Sequence, residues 1–239
     1  MVAEDFKNGQ VLLIDKPLDW TSFQVVNKLR WAIRKRFEIK KIKVGHAGTL
    51  DPLATGLLII CTGKKTKTIS ELQAQTKEYT GSLRLGETTP SYDLETSVDK
   101  KWPIDHITPE MIESNTQHFL GRIEQSPPIF SAVKQDGVRL YEKARKGETV
   151  EIKKRNVEIF EFEITRIEMP DVDFRVRCSK GTYIRSLAHD FGKTLGSGAH
   201  LTQLRRTKSG DFQVEEAETI EGFLKRLDDA SEQMGEPTL

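Results

Sequence analysis

Long apolar runs are missing from this chain of 239 residues: none approaches the roughly 18 consecutive apolar residues that span a bilayer. The opening stretch MVAEDFKNGQ carries acids and no apolar core, so no signal peptide is expected. Cysteine is scarce. Cys61 and Cys178 stand far apart in apolar, strand-like runs and read as two reduced packing thiols of a cytosolic protein, not a disulfide or a metal site. The histidines (His46, His106, His118, His189 and His200) lack zinc spacing. No Gly-x-Gly-x-x-Gly follows a strand. Gly63-Lys64-Lys65-Thr66 fails as a phosphate-binding loop, because Leu58 stands where that loop needs glycine and Lys65 where it needs Ser or Thr. Ser131-Ala-Val-Lys134 lacks the companion motifs of the penicillin-interacting serine enzymes. Nucleotide-cofactor and metal enzymes are therefore not indicated. Neither an internal repeat nor a low-complexity linker is present.

What is there suits a soluble globular protein, with 36% hydrophobic and 31% charged residues and length for one large or two small domains. The net charge of +1 hides a polarity. Asp211–Leu239 holds nine acids against Lys225 and Arg226; taking these from the chain's 37 bases and 36 acids leaves residues 1–210 with 35 and 27, a net of +8. A basic body fits a polyanion-binding surface, and equally a merely solubilising one.

Val11–Ile14 reads as a short strand. Thr21 or Ser22 can cap a helix through Val25, Val26, Leu29 and Ile33, which ends in Arg30, Arg34, Lys35 and Arg36, where the helix macrodipole favours cations. Leu57–Cys61 reads as a buried strand, and Tyr79–Leu85 alternates as a half-buried one. Thr108-Pro109 opens a helix over about Glu110–Phe119 that stops at Gly121. Ser126–Gly147 is rich in turn formers and bases, with a short helix expected at Leu140–Arg145. Val157–Ile167 and Val172–Cys178 suggest a hairpin across Glu168–Asp171. Thr182–Leu195 is expected as a helix, Leu201–Ser209 as a strand and Ile220–Leu227 as a last amphipathic helix. Interspersed, alternating strands predict an α+β fold with a mixed, mainly antiparallel sheet.

One stretch stands apart. Gly45–Gly63 reads GHAGTLDPLATGLLIICTG, and its only acid is Asp51. A single carboxylate in a glycine-rich loop opening onto an apolar strand suits a nucleophile or base. It equally suits an ordinary turn, since Asp before Pro often holds one. Arg185, in CSKGTYIRSLAHD, can pair bidentately with a buried carboxylate, or lie on a solvated helix face.

GHAGTLDPLATGLLIICTGKKTK, with LIDKP before it, KEYTGSLRLG after it and CSKGTYIRSLAHDFG near the end, resembles the bacterial TruB family, the tRNA pseudouridine-55 synthases. The likeness runs from about Val11 to Gly210 and rests on four ordered segments. It implies the pseudouridine synthase fold: a central sheet flanked by helices and loops, in a single catalytic domain over 1–239. It also implies a thumb-like RNA-binding insertion near 126–155, beside an acidic helix or tail near 211–239. Many members continue into a small RNA-binding PUA domain. About 30 residues follow Gly210, too few for one, so none is expected.

The resemblance makes Asp51 the catalytic aspartate, attacking C1′ of the target uridine or assisting glycal formation. Tyr79 matches the tyrosine that stacks on the flipped base, and Arg185 the arginine that pairs with the aspartate. Tyr183 matches a base-contacting tyrosine, and Leu204 the apolar residue that closes the pocket. His46 matches the histidine that fills the space left in the RNA loop. Lys16 and Pro17 match a supporting Lys-Pro pair. The implied partner is the T-arm and elbow of tRNA, bound without cofactor, metal, membrane or protein partner by a cytoplasmic monomer. Lys40, Lys41, Lys43, Lys64, Lys65, Lys67 and the 126–155 segment would meet its phosphates. Two other readings remain: a guide-RNA-dependent synthase, and an RNA chaperone that folds tRNA without chemistry.

Overall fold

The computed structural model of the protein describes residues 2–130, 134–135, 138–139 and 153–232. The helix expected at Leu140–Arg145 and most of the 126–155 insertion lie outside the described residues. In chain order the first elements are α1 (Ala3–Asn8), β1 (Val11–Lys16), α2 (Ser22–Arg36), β2 (Val44–His46) and β3 (Ala54–Thr62). After a 3-10 turn, Gly63–Thr68, come α3 (Ile69–Ala74), β4 (Lys77–Leu85), β5 (Glu87–Thr88) and β6 (Lys100–Lys101). Helix α4 (Pro109–Asn115) runs into the 3-10 turn Thr116–Phe119, followed by β7 (Gly121–Gln125), β8 (Lys134–Gln135) and β9 (Val138–Arg139). The rest comprises β10 (Arg155–Glu168), β11 (Asp171–Cys178), α5 (Ile184–Thr194), β12 (Ala199–Ser209), β13 (Phe212–Gln213) and α6 (Ile220–Glu232). No helix among the described residues is long and apolar enough to cross a membrane.

These elements form two compact units. The first holds the described residues of Met1–Lys77 and Arg205–Leu239. In it β1 runs antiparallel to β3, from Val11 opposite Cys61 to Lys16 opposite Gly56, and β2 pairs antiparallel with β3. Leu58 and Ile60 of β3 join a core with Phe6, Val25, Leu29, Ile33 and Phe223. Leu57 and Ile59 point the other way, into a second cluster with Ala47 and Val214. Burial on both faces explains why this strand reads as a solid apolar block and not an alternation. Helix α6 packs back through Ile220, Phe223 and Leu227. Helix α1, which its six residues do not announce, forms around Phe6, whose ring lies 5.6 Å from Phe37 and 6.5 Å from Phe223.

The second unit holds Glu78–Leu204. Its strand order is β12, β4, β11, β10, β7, with an antiparallel β10–β11 hairpin and β7 antiparallel to β10. The mainly antiparallel α+β expectation therefore holds. Phe119, Phe162, Phe174 and Phe191 form one aromatic cluster, which seats α5 against the hairpin. Alternation along β11 leaves its odd-numbered residues half-exposed, and these carry ion pairs: Arg175 with Glu161 and Glu163, Arg177 with Glu161, and Asp171 with Arg84. Cys61 and Cys178 are buried on β3 and β11.

Two helices are shorter than their sequence suggests. The one expected to Phe119 tightens into a 3-10 turn after Asn115, whose side-chain amide donates to the Phe191 carbonyl and the Thr194 hydroxyl. The one expected from Thr182 starts at Ile184; the Gln125 side chain bonds both the N–H and the C=O of Tyr183, the residue before it. Replacing Phe223 by Ala removes a fully buried ring from the first unit's core and is expected to lower unfolding free energy by about 3–5 kcal/mol. Denaturant titration checks this.

Candidate active site

The loop that carries Asp51 belongs to the first unit, and its backbone is gripped from three sides. Strand β1 ends at Lys16, and the chain turns through Pro17, which is exposed, into α2. Thr21 caps that helix in a reciprocal box with Gln24. This leaves Ser22 inside the first turn, where it is buried and tied to the loop. Its Oγ accepts from the Leu50 N–H at 2.9 Å and donates to the Leu50 carbonyl at 3.1 Å. The Lys16 ammonium is fully buried and donates to the carbonyls of Pro17 (2.8 Å), Trp20 (2.5 Å) and Pro52 (3.2 Å). Arg206, from β12, is 1% exposed and donates to the carbonyls of Leu57 (2.7 Å) and Gly48 (3.1 Å).

Between these grips, Asp51-Pro52-Leu53-Ala54 makes a turn closed by the Ala54 N–H on the Asp51 carbonyl, 3.1 Å, with proline in its favoured second place. The turn reading and the catalytic reading of Asp51 are thus compatible: the backbone makes the turn, and the half-buried side chain is presented from it. Glycine is required at Gly56, with φ +98°, where a Cβ would lie 2.3 Å from the Arg206 carbonyl oxygen.

Burying cations here moves their proton equilibria. Burial pulls the Lys16 amine down to about 8, helped by the Arg206 charge and opposed by the carboxylates of Asp51 and Asp19. His46, half-buried on β2 opposite Ile60, is also pushed below the usual imidazole range by burial and by Arg206. Both effects favour the uncharged ring, beside the loop.

The remaining candidates belong to the second unit. Tyr79 lies on β4 and is 9% exposed. Leu204 is half-exposed on the neighbouring strand β12. Tyr183 precedes α5, and Arg185 lies in its first turn. Arg185 is 4% exposed, which removes the solvated-face reading. It donates to the carbonyls of Ser91 (3.2 Å) and Phe130 (2.9 Å), and one of its nitrogens is 3.5 Å from the Asp93 carboxylate. Asp93 is itself buried, so the pair is desolvated. Between Ser91 and Asp93, Tyr92 has φ +64° and stacks on His189 of α5 at 3.9 Å, which holds the segment against the helix.

Sequence reasoning missed Ser22, Arg206, Asp93 and Gln125. In the sequence Ser22 is an alternative helix cap beside Thr21, and Arg206 is one of two adjacent arginines. Only the fold shows the long-range partners of these residues.

Residues 34–184 match the family model described as TruB family pseudouridylate synthase, N-terminal domain. Residues 185–236 match the tRNA pseudouridylate synthase B C-terminal domain. By class the protein is a pseudouridylate synthase. A relative from Flavobacterium johnsoniae named tRNA pseudouridine synthase B is 62% identical over 95% of this chain and 100% of its own length. One from Phocaeicola vulgatus with the same name is 57% identical over 94% of this chain and 95% of its own. A chain of a solved Cbf5–Nop10–Gar1 complex matches at TM-score 0.73 and 32% identity, covering 99% of this chain and 60% of that one. The chain belongs to the TruB family.

The Lys16 environment makes a direct prediction. In an NMR titration of labelled lysines, one amine titrates near 8 and is absent from Lys16→Met. The folded pKa lies below the ordinary 10.5, so between about pH 8 and 10.5 the unfolded chain holds more protons on this amine. Stability of the wild type relative to Lys16→Met therefore rises with pH across that window.

Proposed function

We propose that the protein isomerises uridine to pseudouridine at position 55 in the T-loop of tRNA, acting as a cytoplasmic monomer without a protein partner. The observation that carries this reading is the 62% identity to a tRNA pseudouridine synthase B along that relative's entire length. The gripped Asp51 loop supports it, since it fixes the backbone behind one carboxylate.

In this reading the N1–C1′ bond breaks as Asp51 bonds to C1′ or takes the C2′ proton to give a glycal; the uracil rotates, C5 bonds to C1′ as the Asp51 bond breaks or the C2′ proton returns, and the C5 proton is then lost while N1 ends protonated. Arg185 holds the aspartate ionised. A uridine inside a folded loop must first be flipped out, which costs a few kcal/mol of stacking. Stacking on Tyr79 returns about 1–3 kcal/mol of this. Tyr183 contacts the base and Leu204 closes the pocket. His46 fills the space vacated in the RNA, and its neutral ring suits insertion among bases. Lys16 holds the loop in place beside Pro17. Lys40, Lys41, Lys43, Lys64, Lys65 and Lys67 meet phosphates.

Asp51→Asn keeps the shape of the side chain and every backbone grip on the loop. It is expected to slow pseudouridine formation in an unmodified tRNA transcript at least about a thousandfold, with tRNA binding unchanged. Mass-spectrometric mapping of the T-loop checks this. Equal product from variant and wild type removes Asp51 from the chemistry, and binding without product from either favours the chaperone reading.

A further inference from the structure

Helix α2 turns Val25, Val26, Leu29 and Ile33 into the core of the first unit. Its opposite face carries two large, exposed aromatics: Phe23 is 63% exposed and Trp31 56%. Eight residues on a helix return to within about a quarter turn, so both rings share that outer face, about 12 Å apart along the axis. The ammoniums of Lys28 and Lys35 lie 5.8 and 4.9 Å from the centre of the Trp31 ring, within the range at which an indole face holds a cation.

The helix has five cations, Lys28, Arg30, Arg34, Lys35 and Arg36, and no acid. Among the described residues none of the five forms an ion pair, whereas Arg84, Arg166, Arg175 and Arg226 all do. Arg30 and Arg34 donate to the Val44 and Ile39 carbonyls and Arg36 lies over the Phe37 ring, so Lys28 and Lys35 beside Trp31 are the cations this face offers a polyanion. The face also begins at the proposed site, because Ser22, the residue before Phe23, holds Leu50 of the Asp51 loop.

We infer that the outer face of α2 is an RNA-docking surface, on which an unpaired base of the substrate RNA stacks against Trp31 while Lys28 and Lys35 take its phosphates. The inference rests on RNA being the substrate. An acidic protein would meet the same cations, but exposed aromatic faces with ammoniums beside them match a base joined to a phosphate.

The test uses the full chain and an unmodified tRNA transcript, measuring equilibrium binding across salt concentrations and conversion at saturating RNA. Trp31→Ala is expected to weaken binding about fivefold or more. Trp31→Phe restores most of the loss, while Trp31→Leu, apolar but without a stacking face, does not. Lys28→Gln with Lys35→Gln reduces the slope of log affinity against log salt by about one to two. Conversion at saturation stays at the wild-type rate in each variant. Wild-type affinity and salt slope in Trp31→Ala and in the lysine double variant would overturn the inference, as would full rescue by Trp31→Leu, which would point to an apolar protein contact. Product formation by the wild type is scored separately from binding, so failure of the functional reading is distinguishable from failure of this one.

Discussion

Three buried donors converging on one loop are the constraint on which the Asp51 turn of the first unit depends. Lys16, Ser22 and Arg206 come from β1, α2 and β12, and together they hold the carbonyls of Gly48, Leu50, Pro52 and Leu57. Burying an ammonium and a guanidinium is costly unless their protons are satisfied. Here backbone carbonyls satisfy them, and the gain is positional: the turn at Asp51 is gripped on both sides. The depressed Lys16 proton affinity is the electrostatic trace of the same arrangement. A loop held by side chains from three separate elements can present a carboxylate without relying on its own sequence for stiffness.

Much of this architecture was legible in the sequence, and the boundary of legibility has physical causes. Helix α2 was readable because its stripe and its cap are local. The β10–β11 hairpin was readable because alternation and a short connection specify register. Asp51 was visible as the one acid among glycines, but its turn and its possible chemistry use the same residues, so local pattern alone did not separate them. Arg185 looked like a surface base or a buried partner, and only burial against Ser91, Asp93 and Phe130 decides. Arg206 was invisible in principle: its partners lie about 150 residues away in sequence, and nothing in LTQLRR distinguishes a buried guanidinium from a solvated one. Helices α1 and α3 were missed because six-residue helices owe their existence to packing rather than to propensity.

Arginines pair with acids in both units, but the cations of α2 form no such pair among the described residues. On the second unit, arginines and acids along β10 and β11 pair with one another, an arrangement of modest stability. On the first, α2 collects five cations and no counter-charge. The overall charge of +1 therefore describes neither surface.

The central claim is that the Asp51 loop is held rigid by its buried grips before any substrate arrives. Residue-resolved hydrogen exchange of the RNA-free protein tests it. The amides of Ala47, Leu50 and Ala54, bonded to the Ile59 carbonyl, the Ser22 hydroxyl and the Asp51 carbonyl, should exchange as slowly as those of the β3 core. Exchange of these three at the rate of an exposed loop, with β3 still protected, would contradict the account.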